Sequence, residues 1–227
     1  VLTIQSEIAE SVALAIVPVI SPESQQQIEN QPTDNAEAYD LYLRGRSYLR
    51  MPAEESTLAS AIQLFNGAID LDPGFAQAYS GLCEAYLGQF EFSLRPASFE
   101  LAEPACRRAL ALNSGLWEVH VALGNLYRVN GRYDDAIASL EAAVEEQPNA
   151  VSPYLELART YAARNSPDLA EQMFQKAEDV EGGYWGVHKA YGVFLLEQSR
   201  NAEAIERQLK VIELTPDSGI GFDNLGN

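Results

Sequence analysis

Residues 117–148 read WEVHVALGNLYRVNGRYDDAIASLEAAVEEQP, and the reading of this stretch decides the fold. Its first half sets Leu123, Gly124 and Tyr127 on one helical stripe. Asn130-Gly131 ends that helix, because Gly and Asn tolerate the left-handed conformation that closes a last turn. A second helix is expected from near Asp134, with Ala136, Leu140, Ala143 and Val144 at three- and four-residue spacing and Pro148 as its stop. Gly124, Ala136 and Ala143 let the two backbones approach closely, while Leu123, Tyr127 and Leu140 fill the space around them. A helix pair this short cannot bury its apolar faces alone and needs copies of itself on either side.

The copies are present. Advancing by 34 residues takes Leu123 to Leu157, Tyr191 and Leu225, and Gly124 to Ala158, Gly192 and Gly226. Tyr127 becomes Tyr161 and Leu195, Ala136 becomes Ala170 and Ala204, and Pro148 becomes Gly182 and then Pro216. Backwards, the ladder continues through Leu82, Cys83, Tyr86, Ala102, Cys106 and Ala109, with seven extra residues between the helices. Gly45, Tyr48, Ala61, Phe65, Ala68 and Pro73 make an earlier copy with four extra.

This pattern resembles the tetratricopeptide repeat, whose unit has an aromatic-Leu-Gly-Tyr first helix, an Ala-Phe-Ala second helix and a closing Pro. The resemblance covers residues 36–227 and divides them at about 38–75, 76–116, 117–150, 151–184 and 185–218, with a partial sixth unit at 219–227. It implies an all-α fold, a right-handed superhelical solenoid of stacked helix-turn-helix units. It further implies a protein–protein interaction scaffold that takes a peptide or protein segment in its concave groove.

Ahead of the repeats, residues 1–20 (VLTIQSEIAESVALAIVPVI) are expected to form a helix with an Ile4, Ile8, Val12 stripe, either capping the solenoid or connecting it to an upstream module. Residues 21–35 are a polar linker, with Asn35 placed to cap the next helix. The run IQSEIAESVALAI followed by AYDLYLRGR resembles the junction in bacterial signalling proteins that carry such repeats behind an adenylate cyclase, a winged-helix regulator or a kinase, often with a TolB-like domain. That likeness implies a regulatory module of a longer protein, and both ends of the chain are read as cut. Self-assembly is the remaining alternative, through the N-terminal helix or through Phe222 and Leu225 at the C-terminal end.

Composition narrows the partners. Asp and Glu outnumber Lys and Arg 33 to 15, a formal net charge of -18, so nucleic acid and anionic membrane surfaces are disfavoured. No run approaches the ~20 apolar residues of a membrane-spanning helix. A cytoplasmic setting is expected, or a periplasmic one if a membrane segment lies upstream. Cys83 and Cys106 occupy a Gly/Ala slot and a Leu/Phe slot of one unit. They are expected to serve as small apolar core residues; the alternative is a disulfide across the pair. In the second unit's insertion, FEFSLRPAS (90–98), Phe90, Phe92 and Leu94 are expected to tuck under the solenoid, or else to form a lip for a partner. Pro52, and the pairs Ser152-Pro153 and Ser166-Pro167, look like helix starts.

No catalytic constellation, metal or cofactor is expected. His120 and His188 stand two units apart, too far to share a zinc. Gly182-Gly183 lacks the Gly-Lys-Ser/Thr of a phosphate loop, and Asp70 and Asp72 lack calcium-loop spacing. In tetratricopeptide solenoids the first helix of each unit lines the concave face, which here implies Tyr39, Tyr42, Arg46, Arg50, Glu84, Asn125, Arg128, Arg159, Lys189 and Leu196 as the groove. Five of the chain's 15 basic residues fall on that strip, so the expected ligand is a segment bearing carboxylates, gripped by Arg. The alternative is that the arginines pair with nearby Glu84 and Glu118. The Lys-Asn-Asn-Lys-Arg set of the family's chaperone-binding members is matched at Asn125 but not at Val121, Glu156, Gly186 or Ala190, so that activity is not expected.

Overall fold

The computed structural model describes residues 32–216. The expected helix at 1–20, most of the linker and the sixth partial unit lie outside the described residues. Ten helices fill them, with no strand among the described residues: α1 Ala36–Leu49, α2 Glu55–Leu71, α3 Ala76–Ser93, α4 Pro96–Leu112, α5 Trp117–Val129, α6 Tyr133–Glu146, α7 Val151–Ala163, α8 Pro167–Glu181, α9 Trp185–Glu197 and α10 Asn201–Leu214. They pack as five consecutive pairs. First helices also touch one another in the order α1, α3, α5, α7, α9, whereas each second helix reaches only its own partner and the next first helix. Two layers follow, with the first helices inside. The all-α solenoid is therefore as the sequence implies.

The small-residue slots explain the pairing. A Cβ placed on Gly124 would stand 2.5 Å from Leu140 Cγ, so the close approach of α5 and α6 requires glycine there. Phe65, wholly buried, lies between Gly45 and Gly81 in the same way, with added Cβ atoms 2.7 and 2.5 Å from its ring. Gly131 takes φ 72° at the end of α5, a conformation that a β-carbon disfavours. Farther along, Phe174 stacks on Tyr191, ring centroids 5.0 Å apart. Asn35 caps α1, its side chain accepting from the Glu37 and Ala38 amides at 3.1 and 3.0 Å.

The same slots correct the reading of the cysteines. Cys83 and Cys106 are wholly buried, as expected of core residues, but they are joined in a disulfide between α3 and α4, Cα atoms 5.3 Å apart. The Gly slot and the Leu slot face each other directly in this type of pair, as Gly124 and Leu140 do. Two cysteines in those slots are therefore opposed at bonding range.

The insertions also depart from expectation. The seven extra residues of the second unit lengthen both helices instead of forming an extended turn. α3 runs to Ser93 and ends on Leu94 in the left-handed conformation, φ 53°. Phe90 packs against Phe99, centroids 5.6 Å apart, but Phe92 is 53% and Leu94 73% exposed, so neither tucks under the solenoid. Pro52 precedes α2 by more than a turn position, since Glu54 is the N-cap and Thr57 completes a capping box with it. Ser152 lies inside α7, not at its start, because Val151 begins that helix after Ala150. Ser166 and Pro167 do open α8.

Candidate functional site: the concave groove

The inner layer borders a half-open cavity of about 710 Å³. Its apolar wall includes Leu49 at the end of α1, Met51 just beyond it, Phe92 of α3, Leu155 of α7, and Trp185 and Val193 of α9. Glu84, Glu91, Asn125, Arg159 and Lys189 bring charge and hydrogen-bonding capacity to it.

The implied groove residues divide into four groups. Tyr42 is a correction: it is 7% exposed and belongs to the core, packed on Phe65 and Phe75 with centroids 6.1 and 5.1 Å away. Burial drives its phenol upward, with Arg46 pulling back. Tyr39 is half-buried and stacks on Tyr42. Leu196 is 53% exposed and does not line the cavity; Val193, one turn earlier, does.

Arg46, Arg128 and Arg159 are held by acids of their own or neighbouring units. Arg46 Nη1 donates to Glu84 Oε1 at 2.9 Å, and that carboxylate raises the guanidinium pKa although burial opposes it. Arg128 donates to Glu91 and to Asn125 Oδ1, and its Nε lies 3.4 Å from Glu156 Oε2. Burial works against the Arg128 charge, but Glu156 and Glu91 outweigh it and the pKa is raised. Arg159 Nη1 donates to Glu156 Oε1 at 2.9 Å. The intramolecular alternative thus describes these arginines, with Glu91 and Glu156, not Glu118, joining Glu84 as their partners. Glu118 stays out of the ion pairs among the described residues; its Oε2 is buried without a hydrogen bond, and burial pushes its carboxyl above the usual range.

Lys189 differs from every other cation of the strip. No carboxylate lies within 4.0 Å of its ammonium among the described residues, and its nearest specific contact is the Trp185 ring, 5.7 Å to the centroid. Desolvation, then repulsion from Arg159, lowers its pKa.

Arg50 stands at the rim. It forms two hydrogen bonds to the Glu181 carboxylate, its guanidinium lies 4.4 Å from the Tyr184 ring, and its carbonyl accepts from Trp185 Nε1 at 3.0 Å. Tyr184 and Trp185 were not foreseen as groove residues; the signal is their position at the opening of the fifth unit, directly after Gly182-Gly183.

Stacked helix pairs with a cavity on their inner face define a repeat scaffold of the protein-interaction class. The Tetratricopeptide repeat profile matches residues 97–151, 121–186 and 155–219, more than half of the chain, and the protein belongs to that family. The type IV pilus assembly protein PilF of Pseudomonas aeruginosa is 31% identical over 111 residues, 48% of this chain and 44% of its own length. The human protein O-mannosyl-transferase TMTC2 is 28% identical over 100 residues, 43% of this chain and 12% of its own. The chain spans less than half the length of either relative. Among solved structures, a thermophilic tetratricopeptide protein of Thermus thermophilus superposes with a TM-score of 0.65 at 18% identity, covering 82% of this chain and 96% of that one. Pseudomonas aeruginosa pilF superposes at 0.52 and 19% identity, covering 78% and 76%. No helix among the described residues is long and apolar enough to cross a membrane.

Proposed function

We propose that the concave groove is the working surface and that it receives a short peptide segment bearing a carboxylate, anchored by Lys189 with Arg159 beside it. The observation that carries this reading is Lys189. It is a desolvated cation in a cavity, next to a second cation and without an acid of its own. An incoming carboxylate relieves that repulsion and makes charge-assisted hydrogen bonds. Trp185, Leu155 and Val193 offer apolar contact around it. Arg46 and Arg128, already engaged by Glu84, Glu91 and Glu156, position the floor and do not compete for the ligand. The test is a selection from random short peptides with free C-termini, followed by affinity measurements on the binders. Lys189→Glu and Arg159→Glu are expected to weaken them about 10- to 100-fold each, the scale of one or two charged hydrogen bonds. Binders indifferent to both substitutions would place the contact elsewhere.

A second reading is a regulatory module within a longer signalling protein. It is supported by the likeness of residues 4–16 and 38–46 to the junction described above. Its test is the activity of the parent protein with and without the repeats; equal activity would sink it.

A further inference from the structure

In a stacked solenoid each unit touches only its neighbours, yet Arg50 of the first unit meets Glu181 and Tyr184 at the close of the fourth and Trp185 at the opening of the fifth, 131 to 135 residues away. We propose that these four residues form a clasp that joins the ends of the inner layer and closes the groove around its occupant, so that the protein takes a short unstructured segment, encircled, and not the face of a folded domain. This rests on the peptide reading of the groove.

Three observations carry it. The contact engages Arg50 through side chain and main chain together: both terminal nitrogens on one carboxylate, the guanidinium face on an aromatic ring, and the backbone carbonyl on the indole N–H. A chance approach of two surfaces does not engage side chain and main chain together. Next, Arg50 sits where extra length was inserted, since the four added residues of the first unit begin at the end of α1 and supply Met51 to the cavity wall. Finally, the half-open cavity that the clasp borders, about 710 Å³, falls within the ~300–1,000 Å³ of ligand-binding clefts. Arg50 and Glu181 keep side-chain exposures of 48% and 40%, so the ion pair is of the weak, salt-screened kind that opens readily. The clasp thereby holds the ring closed at rest and still lets a segment in.

Access to the cavity can be measured without any ligand. Val193→Cys places a thiol on the cavity wall, and the native cysteines, being buried and disulfide-bonded, stay silent. Labelling by a polymer-bearing maleimide is compared with labelling by iodoacetamide. The closed ring is expected to slow the bulky reagent selectively. Adding Arg50→Glu should speed it by about three- to tenfold, the scale of losing a half-exposed ion pair and setting two carboxylates together, with the small reagent unchanged. The exchange Arg50→Glu with Glu181→Arg should restore the slow rate. Trp185→Phe, which removes the indole donor and keeps a smaller aromatic ring, should give an intermediate rate and serves if charge reversal reduces helicity. Equal labelling by both reagents in the parent, or no response to either Arg50→Glu or Trp185→Phe, overturns the clasp. Either result leaves the peptide reading standing; an empty peptide selection with a responsive clasp strikes the peptide reading instead.

Discussion

Reducing the Cys83–Cys106 bond, or replacing both residues by Ala, should destabilise the second unit by about 3 kcal/mol. The figure follows from the separation of 23 residues, since closing a loop of that size removes about 3 kcal/mol of unfolded-state entropy at 25 °C in the chain-entropy account. For a protein of this length the midpoint of thermal unfolding should fall by about 6–12 °C. The bond lies where nothing solvent-borne reaches it, both residues being fully buried. In the native protein reduction should therefore wait on opening of α3 from α4. The assay is thermal and urea unfolding of the parent with and without a strong reductant, beside the Cys83→Ala, Cys106→Ala variant, with amide exchange to locate the effect. Faster exchange should concentrate in residues 76–112, because a solenoid transmits a local loss mainly to its neighbours. The variant should ignore the reductant. Two reactive thiols in the parent, denatured without reductant, together with unfolding curves that reductant leaves unmoved, would refute the reasoning.

Two further outcomes follow from the packing and the charges. Gly124→Ala should destabilise by about 1–3 kcal/mol through overpacking against Leu140, 2.5 Å from the added carbon, although Ala by itself favours a helix by about 1 kcal/mol; denaturant unfolding measures the balance, and a stabilised variant would show that α5 and α6 are less closely apposed. Glu171 accepts from Arg200 at 2.8 Å and from the Tyr191 hydroxyl at 2.7 Å; the Arg200 bonds foremost hold its carboxyl below the usual range, while burial and then this carboxylate push the Tyr191 phenol up to about 12. With the folded value below the unfolded one, the unfolded chain takes up the proton first as pH falls. Glu171's contribution is then full above about pH 4.3 and lost as pH drops through its lowered value. The stability gap between the parent and Glu171→Gln should close over that interval, and a gap that widens instead would contradict the assigned direction.

The repeat was legible because its determinants are local: a small residue, an aromatic and a helix stop recur at a fixed interval, and Gly124, Leu140 and Gly131 take the places that interval implies. Tyr42 misled because inward and groove-facing positions of a first helix are neighbours on one turn, and aromatic character suits both. The FEFSLRPAS stretch misled because an insertion between two helices was read as a loop. The backbone instead extended both helices, where its amides are satisfied, leaving Phe92 to face the cavity. Lys189 was legible as a residue of a first helix, but its isolation from acids depends on Glu91 and Glu156 engaging the arginines. Those pairings span units, and no periodicity records them. The Arg50 contacts lie farther still from anything a repeat pattern encodes.

The ion pairs between units give the repeats an address. Arg46 meets Glu84 across the first junction, Arg128 meets Glu91 across the second and Glu156 across the third, and Arg200 and Arg207 meet Glu171 and Glu178 across the fourth. Were the third unit copied in tandem, Arg128 of the first copy would face Ala122 of the second, the position that now holds Glu156 one period later. The array therefore grows poorly by simple duplication and its units are not interchangeable: each has diverged to recognise its own place in line.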